Sequence, residues 1–328
     1  MRATKSPILR TNLDNVYKLI YMARIVVSGA SGTIGSAVCR ALSERGDQVI
    51  ALSREPQRAA FGLPDGIECH GWRDPAATPP PAPALAGADA VIHLLGEPVS
   101  QRWSPAAKQR IRDSRVLSTR HLVSAIESLA EEDRPAVLVS QSATGYYGPR
   151  DDTKLDEDAP AGGDFLAEVV RDWEQEALRA ESLCRVVVTR TGVVLSPTGG
   201  ALAKMLPFFR AGIGGPVAGG QQYVPWIHLD DVVGGLLFCV DSPTASGAIN
   251  LTAPRPVDNA ELSRALGRVL HRPAVLPVPG FALKLLYGQM SEIVLTGQRA
   301  LPQRLIKLGF SFRHPEVEPA LRDVLVSG

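Results

Sequence analysis

ARIVVSGASGTIG, running from Ala23 to Gly35, is the stretch whose reading decides the fold. Ile25, Val26 and Val27 enter a turn with glycines at 29, 32 and 35, and Thr33 to Arg45 then carries apolar residues at helical spacing. This pattern predicts strand, tight turn, helix. Gly29 can take the positive φ of the turn, Gly32 lets a backbone approach a pyrophosphate, and Gly35 allows close helix-to-strand packing. The free N–H groups at the helix start then face phosphates, which makes Gly29, Ser31, Gly32, Thr33, Ile34 and Gly35 candidate cofactor-binding positions. A glycine triplet alone can join any buried strand to any helix. Here it follows the first strong strand and opens a helix, and a second strand, Gln48 to Ser53, ends ~20 residues later, where a ribose-reading residue belongs.

That second strand delivers Ser53 and Arg54. An acid at this point would bind the 2′-OH of NAD, whereas the Arg54 guanidinium suits a 2′-phosphate, with Arg58 as a second clamp. The expected cofactor is therefore NADP(H) in preference to NAD(H). A solvated surface arginine is the plainer alternative.

Further strands are expected at Ile67 to Trp72, Ala90 to Leu95, Ala136 to Val139, Arg185 to Leu195 and Ala248 to Leu251, alternating with helices. Alternation of this kind implies an α/β fold: a Rossmann-type, doubly wound parallel sheet with a smaller mixed C-terminal lobe. The expected division is a flexible extension over 1–22, a dinucleotide-binding domain over 23–195 to which part of 226–252 returns, and a substrate-side lobe over most of 196–328. Ligands bind at the carboxyl ends of such strands, so Leu95, Gly96, Glu97 and Gly192 join the cofactor candidates. Ser104-Pro105 reads as a helix start. Asp231 reads as a cap for a helix over Val232 to Val240, and Asp258 with Glu261 as a capping box. The polar cluster from Ser140 to Gly148 falls at another strand end. It is either a site beside the nicotinamide or a turn with two packed tyrosines.

The 328 residues are 45% hydrophobic with a formal net charge of +1, an ordinary globular composition without a basic stripe. No nucleic-acid or membrane partner is expected, because no apolar run approaches ~18 residues. The four cysteines lack CxxC spacing and the six histidines lack HxxxH or HExxH spacing, so reduced thiols, no metal site and a cytoplasmic setting are expected.

GASGTIG, RDSR at Arg112 to Arg115, SATGYYG at Ser142 to Gly148, RDWE at Arg171 to Glu174, WIHLDD at Trp226 to Asp231 and NLTAPRPV at Asn250 to Val257 together resemble the atypical extended short-chain dehydrogenase/reductases. The closer resemblance is to their epimerase-like subgroup, also known as nucleoside-diphosphate-sugar epimerase or SulA-like proteins. It covers Ala23 to Leu325. The resemblance implies a nicotinamide-binding Rossmann domain and hydride transfer using Ser, Tyr and Lys. Ser142 carries over, and Arg115 stands where the family often has asparagine. No tyrosine of this chain has lysine four residues later. Aligned through Glu174, the Tyr and Lys positions fall at Leu166 and Val170, neither of which transfers a proton. Tyr146 or Tyr147 is then the candidate acid, with Ser142 orienting a substrate oxygen and Arg115 supplying positive charge.

Two functions are compatible with these residues. One is an NADP(H)-dependent oxidoreductase or epimerase-like enzyme on a small or nucleotide-linked substrate, bound within reach of Lys204, Gln222 and Trp226. The other is a non-catalytic NADP(H)-binding sensor or regulatory partner, which the subgroup's SulA-like label connects with division. A monomer or a homodimer is expected.

Overall fold

A computed structural model of the chain describes residues 22–326. The expected N-terminal extension lies outside the described residues apart from Met22, which is exposed. The first half alternates strand and helix: β1 (Arg24–Ser28), α1 (Thr33–Arg45), β2 (Gln48–Ser53), α2 (Pro56–Gly62), β3 (Glu68–Gly71), β4 (Ala90–His93), α3 (Pro105–Glu127), β5 (Val137–Ala143) and α4 (Phe165–Leu178). The second half adds β6 (Arg185–Thr191), β7 (Val193–Leu195), α5 (Gly200–Arg210), β8 (Trp226–His228), α6 (Leu229–Asp241), β9 (Gly247–Leu251), α7 (Asn259–Leu270), α8 (Gly280–Tyr287) and α9 (Val317–Val326).

Seven strands form one sheet in the order β9-β6-β5-β4-β1-β2-β3, and every neighbouring pair is parallel. The inner strands β1, β2, β4 and β6 are largely apolar on both faces, as a sheet covered by helices on both sides requires, whereas the edge strand β3, Glu-Cys-His-Gly, is partly exposed. Alternation sorts their side chains. Ile25, Val27, Ala51, Ile92, Val139 and Ile249 pack with Val38 and Leu42 of α1 and Leu236 of α6. Val26, Ile50, Val91, Leu138 and Val188 pack with Leu122 and Ile126 of α3 and Ala177 of α4. Each Val, Leu or Ile among them contributes about 1.5–3 kcal/mol when fully buried. A separate core joins Leu202, Leu206 and Phe209 of α5 with Leu262 and Leu266 of α7 and Leu321 of α9. Among the described residues, no helix is long and apolar enough to cross a membrane.

Several helix ends follow local rules. Ser104 Oγ accepts the Ala107 N–H at 3.2 Å, with Pro105 opening α3. Asp258 accepts the Glu261 N–H at 2.7 Å at the start of α7.

Three local expectations are corrected. The strand expected from Arg185 to Leu195 breaks at Gly192, where an added Cβ would lie 1.9 Å from the Pro225 carbonyl oxygen; β7 leaves the sheet and pairs with β8. The polar segment after Val139 continues as strand to Ala143 before a 3-10 turn over Thr144–Tyr147. Asp231 does not cap its helix. His228 does, accepting the Asp230 N–H at 3.0 Å, while the buried Asp231 carboxylate accepts the N–H groups of Arg313 and His314 at 2.7 and 3.0 Å.

Candidate functional site

The turn after β1 has the geometry of a phosphate cradle. Gly29 has φ +69°, and an added Cβ there would sit 2.8 Å from the Leu94 carbonyl oxygen. At Gly35 it would sit 2.2 Å from the Gly29 oxygen, so both positions exclude side chains. The Gly32 N–H donates to Gly29 O at 3.0 Å, and no side chain caps the start of α1, leaving its first N–H groups and positive dipole end available to an anion. Ser31, Gly32 and Thr33 are exposed and Ile34 is half-buried.

A cavity of about 340 Å³ opens beside this turn, lined by Ser31, Ser36, Ser53, Arg54, Glu55, Arg58, Ala59 and Gly62. Ser53 Oγ accepts the Glu55 N–H at 3.2 Å. Arg58 reaches Glu55 at 3.4 Å across an exposed gap, a pair too solvated to hold it firmly. The exposed Arg54 has no ion pair among the described residues. A free guanidinium in this cavity at the end of β2 suits the doubly charged 2′-phosphate of NADP(H).

The floor between β1 and β4 is tied by a buried relay that the sequence reading missed. Ser28 Oγ accepts the Leu94 N–H at 3.1 Å and lies 2.7 Å from His93 Nδ1, while His93 Nε2 lies 3.1 Å from Thr119 Oγ1. Burial lowers the His93 pKa to about 3, so the ring is neutral. The assignment that satisfies all partners has Ser28 donating to Nδ1 and Nε2–H donating to Thr119. The relay fixes Leu94, the residue against which Gly29 packs.

At the end of β4, Glu97 accepts a bond from Arg115 Nη1 at its carbonyl oxygen, 3.0 Å away, and its N–H donates to Ser114 Oγ at 2.9 Å. The guanidinium lies flat on Gly96, where an added Cβ would be 2.9 Å from Nη2. Burial lowers the Arg115 pKa to about 10, opposed by the nearby Glu97 charge, which leaves the group cationic at neutral pH. Arg115 thus delivers its charge to the Leu95–Glu97 segment.

Beyond β5, Ser142 donates to Glu174 Oε1 at 2.5 Å. Arg190 grips both oxygens of that carboxylate, Nε to Oε1 at 2.8 Å and Nη2 to Oε2 at 2.9 Å. Burial works against the Arg190 charge, but the hydrogen bonds and attraction of Glu174 outweigh it and raise its pKa. Arg190 Nη1 also donates to the Tyr147 hydroxyl at 3.1 Å, and that hydroxyl donates to Asn250 Oδ1 at 2.7 Å. Burial pushes the Tyr147 phenol up to about 12, and the residue is fully enclosed. The two tyrosine candidates therefore separate. Tyr147 is a bonded core group. Tyr146 is half-buried, its hydroxyl has no hydrogen-bond partner among the described residues, and the Arg190 guanidinium lies 3.5 Å from its ring centroid.

Leu166 and Val170 face the same strand end. Leu166 Cβ and Val170 Cγ2 lie 3.6 and 3.9 Å from the point where Gly145 would carry a Cβ. Two aliphatic side chains thus stand against the turn that follows the strand bearing Ser142.

The substrate-side candidates do not converge. Trp226 is fully buried, with Nε1 donating to Arg255 O at 3.1 Å. Gln222 is a staple, its Nε2 donating to Val217 O at 3.1 Å and Val294 O at 3.0 Å. Gly192 serves the chain crossing described above. Lys204 reaches across from α5 to Ser100, with Nζ donating to O at 2.9 Å and Oγ at 2.7 Å. The start of α5 rests on the glycine turn: an added Cβ at Gly199 would be 2.4 Å from Thr33 Oγ1. Helix α5 therefore starts against one edge of the cradle.

Tertiary folding also brings His228, Asp230, His314 and Asp323 together, with candidate ligand atoms within 4.8 Å of one another. His228 Nδ1 already accepts the Asp230 N–H, which in a neutral ring leaves the proton on Nε2, facing Asp323 at 3.3 Å. The helix cap thus occupies one lone pair of the His228 ring, which stacks on His314 with ring centroids 3.7 Å apart.

A parallel sheet of this order with a glycine cradle after its first strand defines a Rossmann-type dinucleotide-binding protein. More narrowly, the chain belongs to the NAD dependent epimerase/dehydratase family, whose model matches residues 25–251. Residues 278–324 match a domain of unknown function (DUF1731). The chain is 42% identical to the chloroplastic epimerase family protein SDR39U1 homolog of Arabidopsis thaliana, over 92% of this chain and 86% of that one. It is 34% identical to epimerase family protein SDR39U1 of Homo sapiens, over 92% and 99%. The crystal structure of human SDR39U1 (isoform 2) with NADPH superposes with a TM-score of 0.82 at 33% identity, covering 92% of this chain and 98% of that one.

Proposed function

We propose that the protein is an NADP(H)-dependent oxidoreductase or epimerase-like enzyme with an atypical proton donor. The observation that carries this reading is the unpaired Arg54 beside an uncapped glycine turn, a donor set that fits a 2′-phosphate and a pyrophosphate together. The NADPH in the human SDR39U1 crystal structure supports the same cofactor. When bound, NADP(H) supplies hydride transfer to or from a carbon bearing oxygen. Around it, α1 holds the pyrophosphate, Arg54 and Arg58 hold the 2′-phosphate, and Arg115 adds positive charge beneath Leu95–Glu97. Tyr146 is the proton donor, since its hydroxyl has no partner among the described residues and a guanidinium lies on its ring. Ser142, held by Glu174, fixes the neighbouring strand end.

A second reading, a non-catalytic NADP(H) sensor, is favoured by Leu166 and Val170 beside Gly145, where a Tyr and Lys pair would work. One experiment separates the two. NADPH and NADH are titrated into the protein and into Arg54→Ala by nicotinamide fluorescence, and NADPH consumption is then followed over a panel of carbonyl compounds. Loss of NADPH preference in the variant supports the cofactor assignment. Turnover that disappears in Tyr146→Phe supports the enzyme; binding without consumption of any compound supports the sensor. Failure to bind either nucleotide overturns both.

A further inference from the structure

Strand β2 passes into α2 through Ser53-Arg54-Glu55-Pro56, and the first turn of α2 adds Arg58. The backbone here is held firmly. Ser53 O accepts the N–H of Trp72, just past β3, at 2.8 Å, and Glu55 O accepts the Ala59 N–H at 2.9 Å. Pro56 opens the helix and lies over Gly71, where an added Cβ would be 3.7 Å from Pro56 Cγ. Glu55 stands at the N-cap of α2, yet its carboxylate caps no N–H group. It turns to Arg58 instead, at 3.4 Å.

Arg54, Glu55 and Arg58 all line the cavity beside the glycine turn, and Glu55 is the one acid among its lining residues. Two guanidiniums would balance a doubly charged 2′-phosphate. With Glu55 present the lining side chains leave a net charge of +1. Arg58 is also shared, because the carboxylate it meets competes with a phosphate for the same N–H groups. The side chains of Glu55 and Arg58 are 67 and 85% exposed, so the pair opens at little cost and the carboxylate stays nearby. A cavity of about 340 Å³ is roughly one Debye length across, too small for salt to screen its charges fully from one another. A hydroxyl in place of the phosphate meets the opposite situation: it carries no charge to repel, and a carboxylate accepts its hydrogen bond.

We propose that Glu55 sets the cofactor selectivity of this cavity, holding Arg58 off the 2′-phosphate and opposing its charge, so that NADH competes with NADPH. This role rests on the reading of the cavity as the 2′-phosphate site and adds an acid that acts against that phosphate. Arg54 draws the phosphate in; Glu55 limits the preference that results.

The full chain and Glu55→Gln are titrated with NADPH and with NADH by nicotinamide fluorescence, at low and at high salt. Glutamine keeps the length of the side chain and removes its charge. At low salt NADPH should bind about fivefold more tightly to the variant, NADH should not tighten, and the gain should shrink at high salt. Arg58→Ala gives a readout that a merely structural role would not move. It should weaken NADPH more in the Glu55→Gln background than in the parent chain, because the carboxylate no longer competes for the guanidinium. Glu132→Gln, at an exposed acid in the turn before β5 and so at the amino ends of the strands, controls for net charge.

Unchanged NADPH affinity in Glu55→Gln, equal tightening of NADPH and NADH, the same gain in Glu132→Gln, or an Arg58→Ala loss of equal size in both backgrounds would overturn the proposal. Loss of NADPH preference in Arg54→Ala, with no effect of Glu55→Gln, defeats this proposal alone. Binding of neither nucleotide defeats the cofactor reading and this proposal with it.

Discussion

Arg190 closes on Glu174 through two parallel hydrogen bonds, 2.8 and 2.9 Å, inside a core where the two side chains are 5 and 6% exposed. The pair spans α4 and β6 and holds the hydroxyls of Ser142 and Tyr147 on either side. Glu174→Gln leaves the guanidinium buried without its counter-charge. It should cost about 3–5 kcal/mol in urea unfolding. Glu174→Gln with Arg190→Met should recover part of that loss, because no unpaired charge remains.

Tyr147→Phe removes the donor to Asn250 and one acceptor of Arg190. The expected loss is about 1–3 kcal/mol of stability, with NADPH affinity unchanged. Tyr146→Phe should do the reverse, leaving the urea midpoint in place and lowering turnover. Equal effects of the two variants on turnover would contradict the roles given to them.

Gly35→Ala places a methyl 2.2 Å from the Gly29 oxygen. The cradle must open to admit it, so NADPH binding should weaken at least tenfold while far-ultraviolet circular dichroism keeps its shape. Gly46→Ala is a useful contrast: nothing lies within 4 Å of its added Cβ, but φ is +88°, so the change should cost stability and spare NADPH binding.

His93 links stability to acid. Its pKa is lowered from 6.5 to about 3 by burial, so between these values the unfolded chain binds a proton that the folded protein does not. Its contribution is fully present above about pH 6.5 and is lost as pH falls towards 3, at up to about 1.4 kcal/mol per pH unit. His93→Gln should flatten the dependence of the urea midpoint on pH in that window. An unchanged slope would place the acid sensitivity elsewhere.

How much of this was legible beforehand depends on the range of each interaction. The glycine turn, the alternation of buried strands with helices, the Ser104 and Asp258 caps and the placing of Arg54 at the end of β2 are consequences of neighbours in sequence, through backbone sterics, side-chain period and local hydrogen bonds. Those features alone defined a dinucleotide-binding sheet and located its cradle. The family resemblance, aligned through Glu174, added that Leu166 and Val170 stand where a Tyr and Lys pair is expected.

The rest needed contacts between distant parts of the chain. Tyr146 and Tyr147 are adjacent in sequence, yet only packing against Asn250 encloses one and leaves the hydroxyl of the other open. Gly192 looked like a cofactor contact until Pro225 was found against it. Trp226 looked like a substrate contact until the lobe closed around it. Asp231 could equally have capped its own helix, and chain folding instead brought it the N–H groups of Arg313 and His314. The physical reason is common to all four: local patterns specify which groups need a partner, whereas the choice of partner depends on which segments the packed core brings within ~3 Å.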